Sequence, residues 1–91
     1  MEHFIVVDVE TTGLIPGKHQ IVSIGAVCSA TGDEFYGECR IYKRDAISQT
    51  ALDVNGFTEE QVRDPKKQPA LLLYRRFIKW SRGRSKVLAG H

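Results

Sequence analysis

The sequence predicts a small α/β domain on a mixed sheet: a three-stranded antiparallel meander, a helical crossover, and a fourth strand parallel to the first. Three observations predict it. Residues 4–7 are an uncharged apolar run of strand character. Residues 20–42 read as a hairpin about a glycine-containing turn. Residues 69–82 carry one long amphipathic helical pattern, followed by a further strand-like stretch over 86–91. A right-handed crossover lays that last strand beside the first, with helices packed on the sheet.

The first strand reads as buried on both faces. It ends in Asp8-Val9-Glu10 and a Thr11-Thr12-Gly13-Leu14 turn. Side chains at i and i+2 of a strand share a face, so Asp8 and Glu10 point the same way, ~7 Å apart along the chain. Paired carboxylates at the end of a buried strand repel each other and lose hydration. A divalent cation reverses that penalty, and oxygen ligands suit Mg²⁺ or Mn²⁺. The plainer alternative is two solvated acids where a strand enters a turn.

After a connecting loop over 14–19, with Pro16-Gly17 as its turn, comes the hairpin. With Ser29 opposite Glu34, Val22 pairs with Ile41, Ile24 with Cys39, Ala26 with Gly37 and Cys28 with Phe35. That face is wholly apolar or glycine, and a one-residue slip would scramble it. This pairing sets Cys28 and Cys39 ~13 Å apart along the sheet, too far for a disulfide. Both read as small core residues of a reducing compartment.

Residues 43–49 are a polar connection. Ser48 caps a short helix over 50–54 that stops at Asn55-Gly56. Thr58 and Gln61 form a capping-box pattern for a second helical turn. In the long helix, Leu71, Leu73, Tyr74, Phe77, Ile78 and Trp80 make an apolar band, with Arg75, Arg76, Lys79 and Arg82 on the other side. The aromatics read as helix-to-sheet packing rather than a base-stacking platform. Gly83 ends the helix.

Ninety-one residues allow one domain with a thin core, and 42% hydrophobic with 26% charged residues marks a globular chain. No apolar run reaches the ~20 residues that span a bilayer, and no signal pattern opens the chain, so the expectation is a cytoplasmic protein with no membrane partner. The net charge of +2 conceals an asymmetry: residues 1–62 are acidic and residues 63–91 strongly basic. A basic third can meet phosphates, although a Lys/Arg run on one helix is also an ordinary solvated face.

The string Val7-Asp8-Val9-Glu10-Thr11-Thr12-Gly13-Leu14 resembles the first motif of the DEDD (DnaQ-like) 3′→5′ exonucleases. Residues 21–27 (Ile-Val-Ser-Ile-Gly-Ala-Val) resemble the second strand of that family. The segment from Ala51 to Val62, with Val54-Asn55-Gly56-Phe57-Thr58, is similar to another family pattern. Val87-Leu88-Ala89-Gly90-His91 resembles the lead-in to its second motif. The resemblance implies a ribonuclease H-like fold and metal-dependent removal of nucleotides from the 3′ end of DNA or RNA. By the same resemblance Asp8 bridges two ions of Mg²⁺ or Mn²⁺, Glu10 binds one of them, and Thr11, Thr12, Gly13 and Leu14 meet the terminal nucleotide, with Leu14 against its base. Such a two-metal site activates a water and stabilises the leaving oxygen.

The family uses four acids and, in the subgroup most similar here (DEDDh), a general-base histidine. Residues 1–91 hold the first two acids only, so the chain reads as the N-terminal part of a single exonuclease domain, truncated and inactive alone. His91 belongs to the motif lead-in, while His3 and His19 read as surface residues. Self-association through the fourth strand as an exposed edge, and a DNA polymerase or other replication or repair partner, are compatible with this reading. The alternative is a non-catalytic nucleic-acid-binding or interaction module of the same fold.

Overall fold

A computed structural model describes residues 4–83 and the backbone of residues 87–90. The expectations for His3, Lys86 and His91 lie outside the described residues. Strands β1 (Phe4–Thr11), β2 (Ile21–Cys28) and β3 (Glu34–Glu38) precede helices α1 (Gln49–Asn55), α2 (Glu59–Val62) and α3 (Ala70–Arg82), and β4 (Val87–Gly90) follows. The sheet order is β3-β2-β1-β4, with β1 antiparallel to β2 and parallel to β4. The expected meander and parallel fourth strand are therefore present. Gly90 pairs with Val7, next to the row that holds Asp8.

One face of the sheet is covered by α3. Ile5 of β1, Ile24 and Ala26 of β2, and Cys39 join Leu73 and Phe77 in one buried cluster. Phe35 meets Phe77 edge-on at 5.6 Å and Trp80 at 5.7 Å, so these aromatics pack helix to sheet as expected. Gly37 gives Leu73 room, since a Cβ there would collide with its Cδ1. Two members of the expected apolar band do not take part: Leu71 and Tyr74 are 57% and 54% exposed. The helix touches the sheet through a narrow stripe centred on Leu73 and Phe77, and residues on its flank face solvent.

The first strand is not buried on both faces. Ile5 is fully enclosed, whereas Asp8 is exposed and Val6 and Glu10 are half-buried. Only the α3 side of β1 is covered there; the other side opens on the cleft described below. The hairpin register also differs from expectation by two residues: Ile24 pairs with Gly37 and Ala26 with Phe35. The turn causes this. Gly32, at φ 76°, donates its N–H to Cys28 O, and Cys28 N–H reaches Asp33 O, so the loop closes one residue earlier on each strand. A two-residue shift keeps each side chain on its expected face. Cys39 N–H now bonds Val22 O, six positions from Cys28, ~20 Å along the sheet. Both cysteines are free and buried, and burial pushes the Cys39 thiol up to about 11.

β3 leaves the sheet at Glu38, short of the expected Tyr42. The chain then bonds sideways, Arg40 N–H to Gln68 O and Ile41 N–H to Val62 O. Arg63 anchors the following loop by donating to Tyr42 O and Asp45 O. A bulge falls opposite Glu10 and Thr11, where the pairing passes from Ser23 to Ile21 and leaves Val22 extra. Val22 is thereby freed to join Ile41, Leu52 and Val62 in a second cluster. That cluster seats α1 and α2 at the end of the sheet. The helix stops and starts match the sequence: Ser48 caps α1, Gly56 at φ 82° ends it, and Thr58 and Gln61 form the capping box. Gly83 ends α3 in a right-handed conformation.

Candidate active site

Period-two alternation sends Asp8 and Glu10 to the open face of the sheet, as expected. The register aligns them with residues of the next two strands. Asp8 pairs with Gly25, which pairs with Tyr36; Glu10 pairs with Ser23, which pairs with Glu38. All of these residues except Glu38, with Asn55, Gly56, Phe57 and Gln61 from the α1–α2 junction, line a cleft of about 340 Å³. Gly25 has no side chain, so backbone forms its floor between Asp8 and Tyr36. The bulge at Val22 brings the helical wall into place.

Among the described residues, neither Asp8 nor Glu10 has an ion-pair partner. The far wall is neutralised instead. Lys67 Nζ lies 2.8 Å from Glu38 Oε1, and Tyr36 donates its hydroxyl to Glu38 Oε2 at 2.6 Å. The Lys67 ammonium, then the Tyr36 hydroxyl, hold the Glu38 carboxyl below its ordinary range. Desolvation at the phenol, reinforced by the Glu38 carboxylate, pushes Tyr36 up to about 12. Lys67 Nζ also sits 5.4 Å from the Phe57 ring centroid, which ties the wall together. The uncompensated negative charge of the cleft therefore comes from Asp8 and Glu10.

The turn after β1 has two kinds of residue. Thr12 is fully buried: its hydroxyl donates to Ala46 O at 2.7 Å and accepts from Gln20 N at 3.1 Å. Its backbone is equally occupied, N–H to Gln20 O and carbonyl to Ser48 N–H. Thr11 donates to Gly13 O, and Leu14 is 94% exposed. Thr11, Gly13 and Leu14 line a second cleft, about 350 Å³, with Val9, Glu10, Ser48, Ala51 and Val54. Asn55 borders both clefts and pins α1 to the strand end by donating to Thr11 O at 3.0 Å. Glu10 also borders both.

Asp8 and Glu10 are hard oxygen donors on one open face, without a cation among the described residues, which is the donor chemistry Mg²⁺ or Mn²⁺ takes. Among the described residues no third acid, histidine or cysteine joins them in a metal-sized group. Sequence reasoning missed Tyr36, Glu38, Asn55 and His19. The signal for Asn55 lies in its place at the end of α1 and in the family-like segment over 51–62, where it reads as a helix stop with no site role; no local pattern marks Tyr36 or Glu38, whose position depends on register.

Comparison with known proteins follows the same line. An exonuclease family profile, RNase T, matches residues 5–91. The comparison with curated proteins finds no match. Among solved structures, a product-bound exonuclease I is similar at TM-score 0.81 and 17% identity over 99% of this chain and 22% of its own. The nuclease domain of 3′hExo, a DEDDh family member bound to rAMP, is similar at TM-score 0.68 and 20% identity over 98% of this chain and 50% of its own. Exonuclease I of E. coli, in complex with a dT13 oligonucleotide, gives 0.76 and 18% over 100% of this chain and 20% of its own. The chain thus spans half or less of the length of these proteins, and what it shares with them is the ribonuclease H-like fold. The acid pair, the turn behind it and the α1–α2 wall all fall within the matched residues, and the chain belongs to the RNase T exonuclease family.

Proposed function

We propose that the chain is the N-terminal part of a 3′→5′ exonuclease domain that acts on the 3′ end of DNA or RNA. The observation that carries this reading is the placement of Asp8 and Glu10 on one open sheet face, in a cleft whose other wall is charge-neutralised. These two carboxylates would supply part of the coordination of Mg²⁺ or Mn²⁺, which polarises the phosphodiester and its attacking water when bound. Thr11, Gly13 and Leu14 line the neighbouring cleft, whose apolar wall of Val9, Ala51 and Val54 suits a base and sugar. Thr12 acts in this reading through the turn it braces. Glu10 and Asn55, shared by both clefts, set the distance between the terminal nucleotide and the acid pair. With only the first two of the four family acids, the 91-residue polypeptide alone would bind a nucleic-acid end and turn over little.

Two similar proteins are bound to an oligonucleotide or a nucleotide, dT13 on E. coli exonuclease I and rAMP on 3′hExo, which supports the substrate class. A second reading rests on α3, where Arg75, Arg76, Lys79 and Arg82 are all exposed. A non-catalytic module would use that face for phosphates, with strong salt dependence and no need of a metal. β4, at the edge of the sheet, is where self-association or a replication or repair partner would add a strand.

Binding of one oligonucleotide with a free 3′ hydroxyl, and of the same oligonucleotide 3′-phosphorylated, separates the two readings. The exonuclease reading expects a preference for the free end that requires Mg²⁺ and disappears in Asp8→Asn and Glu10→Gln. Equal, metal-independent binding of both oligonucleotides overturns it in favour of the binding module.

A further inference from the structure

We infer that His19 is a positioning residue, whose imidazole holds the turn that presents Leu14 to the cleft beside Val9, Ala51 and Val54. The role of Leu14 rests on the nucleotide reading proposed above; the role of His19 in the turn rests on its own contacts. His19 read as a surface residue in the sequence, yet it is half-buried. Its ring lies flat against Gly13, where a Cβ would stand 2.5 Å from both Cγ and Cδ2. Its Nδ1 accepts the Ile15 N–H at 3.1 Å. Ile15 O in turn accepts the N–H groups of Lys18 at 3.1 Å and of His19 at 2.9 Å.

The excursion from Gly13 to His19 is pinched at its base by Thr12 N–H to Gln20 O. Beyond that pinch, burial does not hold the tip. Leu14 is 94% and Ile15 52% exposed, and Pro16, Gly17 and Lys18 face solvent. Apolar packing at these residues is slight; Ala46 N–H reaches Lys18 O at 2.8 Å, and among the described residues His19 is the side chain that bonds back into the tip. Gly13 is buried and has no left-handed backbone; it is glycine here because the imidazole occupies the place of its side chain. The two interactions fix different things. Ring contact sets the height of Gly13, and the Nδ1 acceptor sets the direction of the Leu14–Ile15 peptide.

Two substitutions separate these contributions. His19→Phe keeps a ring against Gly13 and removes the acceptor. His19→Asn keeps an acceptor at the place of Nδ1 and removes the ring. Thymidine 5′-monophosphate is titrated in Mg²⁺ against the 91-residue chain and both variants. Mn²⁺ affinity without nucleotide and the exchange rate of the Ile15 amide are measured on the same samples.

The expected loss in His19→Phe is about three- to tenfold in nucleotide affinity, the worth of one hydrogen bond, with a smaller loss in His19→Asn, which keeps the acceptor without the ring. Mn²⁺ affinity stays unchanged in both. Ile15 amide exchange speeds up by a similar factor in His19→Phe alone. A His19→Phe chain that binds nucleotide like wild type, or a His19→Asn chain as weak as His19→Phe, overturns the inference, as does a parallel loss of Mn²⁺ affinity. A wild-type chain that takes no thymidine 5′-monophosphate contradicts the nucleotide reading. The Ile15 amide then decides the His19 inference: faster exchange in His19→Phe with recovery in His19→Asn supports it, and equal exchange in all three overturns it.

Discussion

Asp8 and Tyr36 stand opposite the same residue, Gly25, from the two sides of strand β2. Two strand spacings, ~10 Å, lie between them, with only backbone on the floor. The next row repeats the arrangement with Glu10, Ser23 and Glu38. One wall of the cleft thus offers carboxylates and the other a neutral phenol, backed by the Glu38 carboxylate that Lys67 already holds. On the proposed reading this asymmetry would direct a cation to the β1 side, because Glu38 has its charge met within the protein.

Filling the floor tests whether the cleft is used. A Cβ at Gly25 would meet Asp8 O and Tyr36 Cδ1 at 3.8 Å, ordinary contact, so Gly25→Ala should fold normally. Strand glycine costs about 0.5–1 kcal/mol relative to alanine, so this variant should be as stable as wild type or slightly more so. Gly25→Leu should retain the fold and lose at least about tenfold in metal-dependent nucleotide affinity, about 1.4 kcal/mol. Thermal unfolding and nucleotide titration of both variants check this.

Gly13→Ala should be costly because its Cβ would enter the His19 ring. Overpacking of this kind costs about 1–3 kcal/mol. The double variant with His19→Ala makes room and should recover part of the loss, a coupling that a double-mutant cycle by urea unfolding measures.

Thr12→Val should destabilise by about 1–3 kcal/mol, since it leaves Ala46 O and Gln20 N–H without the hydroxyl that serves both. Thr12→Ser keeps the hydroxyl and should lose less. Equilibrium unfolding of the two variants distinguishes loss of the hydroxyl from loss of the methyl group.

The Lys67–Glu38–Tyr36 group gives stability a pH signature at both ends. Glu38 has its folded pKa lowered, first by Lys67, so its contribution is present above the ordinary value of 4.5 and is lost as pH falls through the folded value. The melting-temperature gap between wild type and Lys67→Met should therefore shrink on acidification below that range. Tyr36 is raised from 10 to about 12, so its contribution is full below 10 and is lost as pH rises towards 12. Tyr36→Phe should flatten the alkaline limb, followed by circular dichroism.

The residues that obey a local period were legible in the sequence. The face shared by Asp8 and Glu10 follows from strand alternation, and the caps at Ser48, Thr58 and Gly56 follow from turn chemistry. The fourth strand beside the first follows from crossover handedness. What failed depended on contacts distant in sequence. Gly32 closed the hairpin one residue early on each strand, which moved the partner of Ile24 from Cys39 to Gly37 and brought Tyr36 opposite Gly25. Leu71 and Tyr74 share an apolar flank with Leu73, but the sheet reaches only the stripe through Leu73 and Phe77. His19 has a bland neighbourhood in the sequence, and only the folded turn sets its ring on Gly13.

The measurement closest to the central claim is Mn²⁺ titration of the ¹⁵N-labelled chain, followed by paramagnetic broadening of its amide signals. The account predicts broadening that begins at Asp8 and Glu10 and spreads to Gly25 and Asn55, abolished by Asp8→Asn and weakened by Glu10→Gln. Broadening centred on Glu59 and Glu60 of α2, or unchanged by Asp8→Asn, would contradict a metal site at the end of β1.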